Sequence, residues 1–461
     1  MQHSQVQSTS SPAHPTAVML WMALTAAAGA AILSQPALPD NSGLPLAIGL
    51  LTLFVAAIVA TFSLRYMRAD GRSPSFFLTL GGLVASVLTF LFAGNLVLLA
   101  AAWCASGVLL ARLIGHHHAW DEAAAAARRT RRAFLIGDAA LLGALGLIGW
   151  QVGSVQFDSV LAGAAALPPA LSTAAALLLV VAAAARCALP PFSGWLLSSM
   201  TAPTPVSALM HAGLVNAGGF LLIRFAPVLE AAPLARTAAI VIGLSGAIYG
   251  IGIMMVRPDV KRALAGSTVS QMGFMIMSCG LGAYAAALWH IIAHGLFKAW
   301  LFLGSGSTLG MKTAKPAVAL SGGASLAIAA GTLGVALSIL SFGDGDASLV
   351  PLLLGLATAI SALVATLGGN VPKRAKAILV LTVIALIGLH GAGLAIAGMA
   401  IGANAAPIVP DWLLLALLVV FLTAWGWQQQ RIATGRGLPL ALYVHLINAG
   451  ALRAKGNGEA K

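Results

Sequence analysis

Long apolar stretches, each near the length of a bilayer-crossing helix, follow one another along the chain with only short polar connections between them. A helix needs about 20 predominantly apolar residues to span the hydrocarbon core. Hydropathy marks about fourteen such segments: 16–34, 44–64, 76–93, 94–115, 133–150, 168–186, 205–225, 236–256, 263–281, 284–308, 317–341, 349–368, 377–401 and 411–428. This predicts an all-α polytopic membrane protein of about 14 transmembrane helices. It divides into a polar N-terminal tail (1–15), a transmembrane domain (16–430) and a C-terminal tail (431–461). The longest interior connection, 116–132, opens with His116, His117 and His118 and continues as an Ala/Arg-rich stretch. Three adjacent histidines cannot all face one metal, so a solvated loop is expected there and no metal site in the chain.

Composition narrows the class. Hydrophobic residues make up 59% and charged residues 8%, against about 25% charged in an ordinary soluble domain, which excludes a multidomain soluble enzyme. The 51 glycines in an Ala-rich background suit helices packed closely in lipid, where small residues let backbones approach. Cys104, Cys187 and Cys279 lie scattered in or beside apolar segments, too far apart in sequence to suggest a zinc site or a disulfide framework. No Lys or Arg precedes the first apolar segment, so it lacks the cationic start of a secretory signal and reads as a retained helix.

The net charge of +13 becomes informative through its placement. No basic run is interleaved with aromatics as a nucleic-acid groove requires, so no nucleic-acid partner is expected. With both termini cytoplasmic, the inside segments hold Arg65, Arg68, Arg72, Arg112, the Arg128–Arg132 cluster, Arg186, Arg257, Lys261, Arg262, Lys312, Lys315, Lys373, Arg374, Lys376, Arg431, Arg436 and the tail. Of the 25 cations, only Arg224, Arg236 and Lys298 fall elsewhere. The outside loops carry Asp40, Asp158, Glu230, Asp344, Asp346 and Asp411. A wrong span count would scramble this alternation, which follows the positive-inside rule and predicts a multi-pass protein of the cell inner membrane. The stretch Arg431–Lys461 is the one place where sequence-specific contacts could hold a partner.

Two features interrupt the apolar pattern. Residues 186–205, RCALPPFSGWLLSSMTAPTP, are apolar enough for membrane depth yet carry Pro190, Pro191, Gly194, Pro203 and Pro205. Broken backbone is tolerated in a membrane only where protein or a water-filled cavity satisfies it, and transporters place ion sites at such breaks. A simple re-entrant or cytoplasmic loop is the other reading. The second feature is LWHIIAHGLFKAWLFL, where His290, His294 and Lys298 recur every fourth residue and so stack on one helical face. Ionisable residues inside spans are costly and mark function, and the stack reads as a proton relay centred on Lys298, since histidine titrates near neutrality. His211 either extends that relay or bonds a neighbouring backbone, and His390, alone in its span, reads as packing. Asp138 is the one acid within a span; it either answers the Arg128–Arg132 cluster or takes part in coupling.

APTPVSALMHAGLVNAGGFLLIR, DVKRALAGSTVSQMGFM and GAYAAALWHIIAHGLFKAWLFLGSGS resemble the signature of the antiporter-like subunits of respiratory complex I and of Mrp-type cation/proton antiporters. The resemblance covers roughly residues 64–310. It implies inverted-repeat helix groups with discontinuous helices and a polar, proton-carrying axis at mid-membrane. Lys298 matches that family's central lysine, His290 and His294 its neighbouring histidines, His211 the histidine after PTPVSAL, and Asp138 the Asp of its Gly-Asp pair. The chain also departs from the pattern. Trp103 is followed by Cys104 where the family has a glutamate, and Arg186 stands at the family's lysine; an arginine cannot practically release its proton. The later Lys-Asp pair is replaced by sequence around Gly343 and Asp344.

The altered pairs, the size and the tail LYVHLINAG resemble a shorter, diverged branch, the DabB membrane subunits of inorganic-carbon accumulation complexes. That resemblance implies a non-enzymatic, cation- or proton-conducting subunit, with no catalytic residue and no cofactor of its own. It would energise CO₂ conversion to bicarbonate by a cytoplasmic DabA-like partner, a soluble zinc protein resembling carbonic anhydrases. Arg186 and Asp138 would then supply an electrostatic setting. Two alternatives stay open: a cation/proton antiporter or respiratory proton-pumping subunit, and an inert membrane anchor for a soluble partner.

Overall fold

The computed structural model describes residues 15–33, 43–308, 322–342, 349–368, 372–401, 408–435 and 437–452. The N-terminal tail up to residue 14, Asp40, Lys312, Lys315, Gly343, Asp344, Asp346, Arg436 and residues 453–461 lie outside them.

The first half comprises α1 (Pro15–Leu33), α2 (Gly43–Tyr66), α3 (Ser73–Phe92), α4 (Leu96–Ile114), α5 (Asp121–Val152), the short α6 (Phe157–Gly163) and α7 (Pro169–Arg186). Short helices α8 (Gly194–Ser198), α9 (Thr204–Ala212), α10 (Ala217–Arg224) and α11 (Ala226–Glu230) lead into α12 (Pro233–Val256), α13 (Val260–Leu281) and α14 (Tyr284–Gly304). The chain continues through α15 (Gly322–Phe342), α16 (Leu349–Gly368), α17 (Lys373–Ile401), α18 (Asp411–Thr434) and α19 (Leu440–Ile447). Where the predicted spans fall on described residues they overlie helix, and among the described residues eleven helical stretches, against the fourteen predicted, are long and apolar enough to cross a membrane. Leu78 and Trp150 are 79% and 78% exposed, as lipid-facing positions should be. The protein is an all-helical, multi-pass membrane protein.

Local signals set the helix ends. Asn95 caps α4 by accepting from Leu98 N–H at 2.8 Å, and Asp259 caps α13 through Arg262 N–H at 2.8 Å, satisfying donors a helix start leaves open. Gly282 ends α13 at φ 89°, a left-handed position favouring glycine. One predicted loop is corrected: α5 begins at Asp121, so the connection after α4 is a tight turn rather than a solvated run to residue 132. The Ala-rich composition of 123–127 explains this, since alanine is the best helix former.

The turns sort into two ends. Arg129 donates to the carbonyls of Gly450 and Ala451 at 3.0 and 3.1 Å, and Arg257 donates to Ala449 O. His116, between α4 and α5, meets Asp70, between α2 and α3, at 2.9 Å. These contacts gather the Arg-bearing turns at one end. At the other, Leu96 N–H meets Val155 O at 2.8 Å, Arg224 holds the carbonyls of Phe90, Leu91 and Ala93, and Arg236 holds those of Gly280 and Leu281. The turns these contacts join therefore fall into two separate groups.

Among the described residues, α12 and α13 pack most extensively. A Cβ on Gly250 would lie 2.2 Å from Ser270 N, and one on Gly273 would lie 2.4 Å from Ala247 N, so the backbones touch through glycines as small-residue packing allows. α13 is not among the eleven apolar stretches, since Ser267, Thr268, Ser270 and Gln271 interrupt it. It sits inside the bundle, where those hydroxyls face protein.

Candidate functional site

Three helices converge on Lys298. α14 carries His290, His294 and Lys298 at helical spacing, and Gly295 lets it rest on α9, where a Cβ would come 2.6 Å from Ala212 O. Lys298 is 2% exposed. Its ammonium donates to Leu264 O at 3.1 Å and to Ser267 Oγ, both on α13. Ser267 and Thr268 in turn fold their hydroxyls back onto that same carbonyl, at 2.9 and 3.0 Å. Both of the lysine's acceptors are neutral.

His211 completes the centre from the end of α9. It is fully buried, with Nδ1 3.0 Å from Thr268 Oγ1 and its ring stacked 4.2 Å from Phe302, one turn beyond Lys298. Because the Thr268 hydroxyl donates to Leu264, Nδ1 is assigned as the donor and Nε2 as the acceptor. A continuous polar path thus runs from His211 through Thr268 and the Leu264 carbonyl to Lys298. Toward the other end of α14, His290 and His294 stack with ring centroids 5.5 Å apart and planes 16° apart. The Nε2 atoms of His211, His290 and His294 are buried without a hydrogen-bond partner among the described residues. Buried polar atoms are rarely left so, and here two lie in line along α14, with the third on α9 beyond Lys298.

The line opens into space. His290 borders a cavity of about 410 Å³ that also exposes Gln271, Thr358, His390 and Gln428, polar and roomy enough for a short chain of waters. His390 accepts from Trp289 Nε1 at 2.9 Å.

The helix break that positions His211 lies at 213–216, inside the predicted continuous span 205–225. There α9 ends, a 3₁₀ turn Leu214–Asn216 follows, and α10 begins. Asn216 Nδ2 donates to the freed Ala212 carbonyl at 2.9 Å. The proline-rich stretch 186–205 is instead a buried turn at the Arg-bearing end: Leu197 meets Gly450 there, and Trp195 Nε1 donates to Ala185 O at 2.9 Å.

Arg186 and Asp138 form a second cluster, on α7 and α5. The guanidinium reaches Asp138 Oδ1 at 3.4 Å, Trp103 O at 3.0 Å and Ser106 Oγ at 3.3 Å. It also lies over the rings of Trp103 and Phe134, at 4.1 and 4.4 Å. Asp138 therefore pairs with Arg186. Sequence reasoning did not find Ser267, Thr268, Ser106 or Phe134. The first two were signalled by hydroxyls in an otherwise apolar span; the latter two by nothing local.

Two segments lie apart from these clusters. His116 is buried, and burial holds its imidazole below the ordinary histidine range even beside Asp70. Burial works to raise the Asp70 carboxyl, but the Arg72 N–H and His116 outweigh it and hold it below its usual value. The C-terminal stretch 437–452 is docked on its own chain, with Leu446 beside Gly252 and its last carbonyls held by Arg129 and Arg257.

The family described as NADH:quinone oxidoreductase/Mrp antiporter, transmembrane region, matches residues 93–323, half of the chain. The probable inorganic carbon transporter subunit DabB1 of Halothiobacillus neapolitanus is 39% identical over 261 residues, 55% of this chain and 47% of that protein. Its counterpart DabB in Bacillus subtilis is 37% identical over 57% of this chain and 52% of its own length. NADH-quinone oxidoreductase subunit L of Mycobacterium tuberculosis is 35% identical over 55% and 41%. The chain spans about half the length of the curated relatives it matches. Among solved structures, the Mrp complex from Dietzia sp. DQ12-45-1b aligns over 94% of this chain and 55% of its own, with TM-score 0.64 and 25% identity.

Proposed function

The chain belongs to the NADH:quinone oxidoreductase/Mrp antiporter transmembrane family, and from that premise we propose that it conducts protons, or another cation, along the α14 axis. The flow energises inorganic-carbon uptake by a partner. The observation that carries this reading is the surrounding of Lys298: a buried ammonium on neutral acceptors, flanked by three histidines whose Nε2 atoms are buried and open. Lys298 is the central carrier, His294 and His290 lead to the cavity, and His211 serves the opposite side. Arg186 with Asp138 sets the local field without releasing a proton.

The direction of use rests on the likeness to proteins named as inorganic carbon transporter subunits. A catalyst alone only equilibrates CO₂ and bicarbonate, so accumulation needs an input. A charge crossing the membrane supplies about 2.3 kcal/mol per 100 mV. Hydration belongs to a soluble DabA-like zinc partner resembling carbonic anhydrases, on the cytoplasmic side of the inner membrane, and this chain carries no catalytic residue. The test is carbon accumulation in cells bearing K298A with its partner. Accumulation should vanish while the complex still assembles, and an uncoupler should abolish it in the wild type. Normal uptake in K298A, or uptake indifferent to the uncoupler, overturns the reading; the latter outcome favours an inert anchor.

A second reading, a cation/proton antiporter or respiratory pumping subunit, draws on the alignment with the Mrp complex over nearly the whole chain. Co-purification separates the two: a zinc-bearing partner supports the first, quinone-reducing or further antiporter subunits the second.

A further inference from the structure

The turns after α2 and α4 meet at the Arg-bearing end, far along α4 from the Trp103 end that faces Arg186. Asp70, His116 and His117 each present one ligand atom there, all within 4.8 Å of one another. Asp70 Oδ2 and His116 Nε2 are 2.9 Å apart. Four ligands around zinc at about 2.0–2.1 Å lie roughly 3.3 Å from their neighbours, so small side-chain rotations bring the set onto one ion. His116 is held for this: it is 8% exposed, its ring edge against Phe76 at 5.6 Å. His117 is steadied by stacking on Trp120 at 4.9 Å. Asp70 is oriented by Arg72 N–H, which donates to Oδ1 at 2.8 Å, the kind of outer support that ligating carboxylates carry.

Adjacent histidines alone could not close on a metal; the fold supplies two of the three and adds a carboxylate from another turn. Two imidazoles and one carboxylate suit a borderline transition metal and not magnesium or calcium, which take oxygen ligands. Three protein ligands leave a fourth position open. Arg72 is the competing group. Its guanidinium lies 3.4 Å from His117 Nδ1 and bonds His118 Nδ1, so it opposes a cation by charge and occupies an imidazole nitrogen.

We propose that Asp70, His116 and His117 form a zinc-binding site that ties the α2–α3 turn to the α4–α5 turn, with Arg72 restraining its affinity. The site is independent of the conduction axis. The test uses the full chain in detergent, purified through a tag without histidines, stripped with a chelator and titrated with Zn²⁺ against a chromophoric competitor. Wild type should bind one zinc per chain, with a rise in unfolding temperature. D70N, H116Q and H117Q should each lose at least about tenfold in affinity; H117Q, altering a half-buried side chain, guards against misfolding. H118Q should bind as wild type, and R72Q more tightly. Zinc uptake by wild type no tighter than by a D70N/H116Q/H117Q triple variant overturns the proposal, as does an H118Q loss equal to that of H117Q.

Discussion

Lys298 and Arg186 are both buried cations on membrane-spanning helices, and they are held in opposite ways. The guanidinium is charge-paired: a carboxylate, a carbonyl and a hydroxyl accept from it, and it lies over two aromatic rings. It is chemically unable to give up its proton in any case. The ammonium has two neutral acceptors, and the histidines beside it keep open nitrogens. A buried charge marks a conducting site only where its surroundings leave it a second state. By that criterion the α14 cluster can change, whereas the α7 cluster is built to stay as it is.

The contrast can be broken from either side. The largest effect is expected from K298M, which removes the carrier but keeps the volume. Proton flux into proteoliposomes, read with a pH-sensitive dye, should fall about 10²–10⁴-fold with little change in unfolding temperature. R186M should do the reverse. It strands the Asp138 carboxylate, and breaking a buried pair from one side costs about 3–5 kcal/mol, measured by thermal unfolding in detergent. The double variant R186M/D138N should recover much of that loss. If R186M left stability untouched and K298M unfolded the chain, the roles assigned to the two clusters would be reversed.

Smaller changes sharpen the same point. G295A places a methyl 2.6 Å from the Ala212 carbonyl, and forcing α14 off α9 should cost about 1–3 kcal/mol, with flux reduced less than in K298M. H390Q keeps an acceptor for Trp289 and leaves Gln271 and Gln428 in the cavity, so flux should fall only a few-fold at unchanged stability. A loss as deep as that of K298M would make His390 a carrier in its own right.

The sequence displayed the α14 cluster plainly, because three ionisable residues at four-residue spacing in an apolar span have no cheaper explanation. It displayed the spans and the sorting of turns for the same reason: lipid tolerates little else. It did not display Ser267 and Thr268 as partners, since hydroxyls on α13 acquire meaning only when α14 is packed beside them. The break in the span after Pro205 was also hidden. Its cause is Gly213 with an Asn216 amide folded back on Ala212, residues that read as ordinary span composition. The prolines of 186–205 drew attention instead, yet they shape a turn at the bundle's end. His116 and Asp70 are 46 residues apart and meet only through the pairing of two turns.

The discriminating measurement is proton flux through K298R in proteoliposomes of the complex with its partner, compared with wild type in the same preparation. The variant keeps the positive charge and its hydrogen-bonding reach but cannot release a proton. Flux should fall to the level of protein-free vesicles while the unfolding temperature stays near wild type. Flux equal to wild type would show that Lys298 serves only as a fixed charge, and the difference between the two buried cations would lose its meaning.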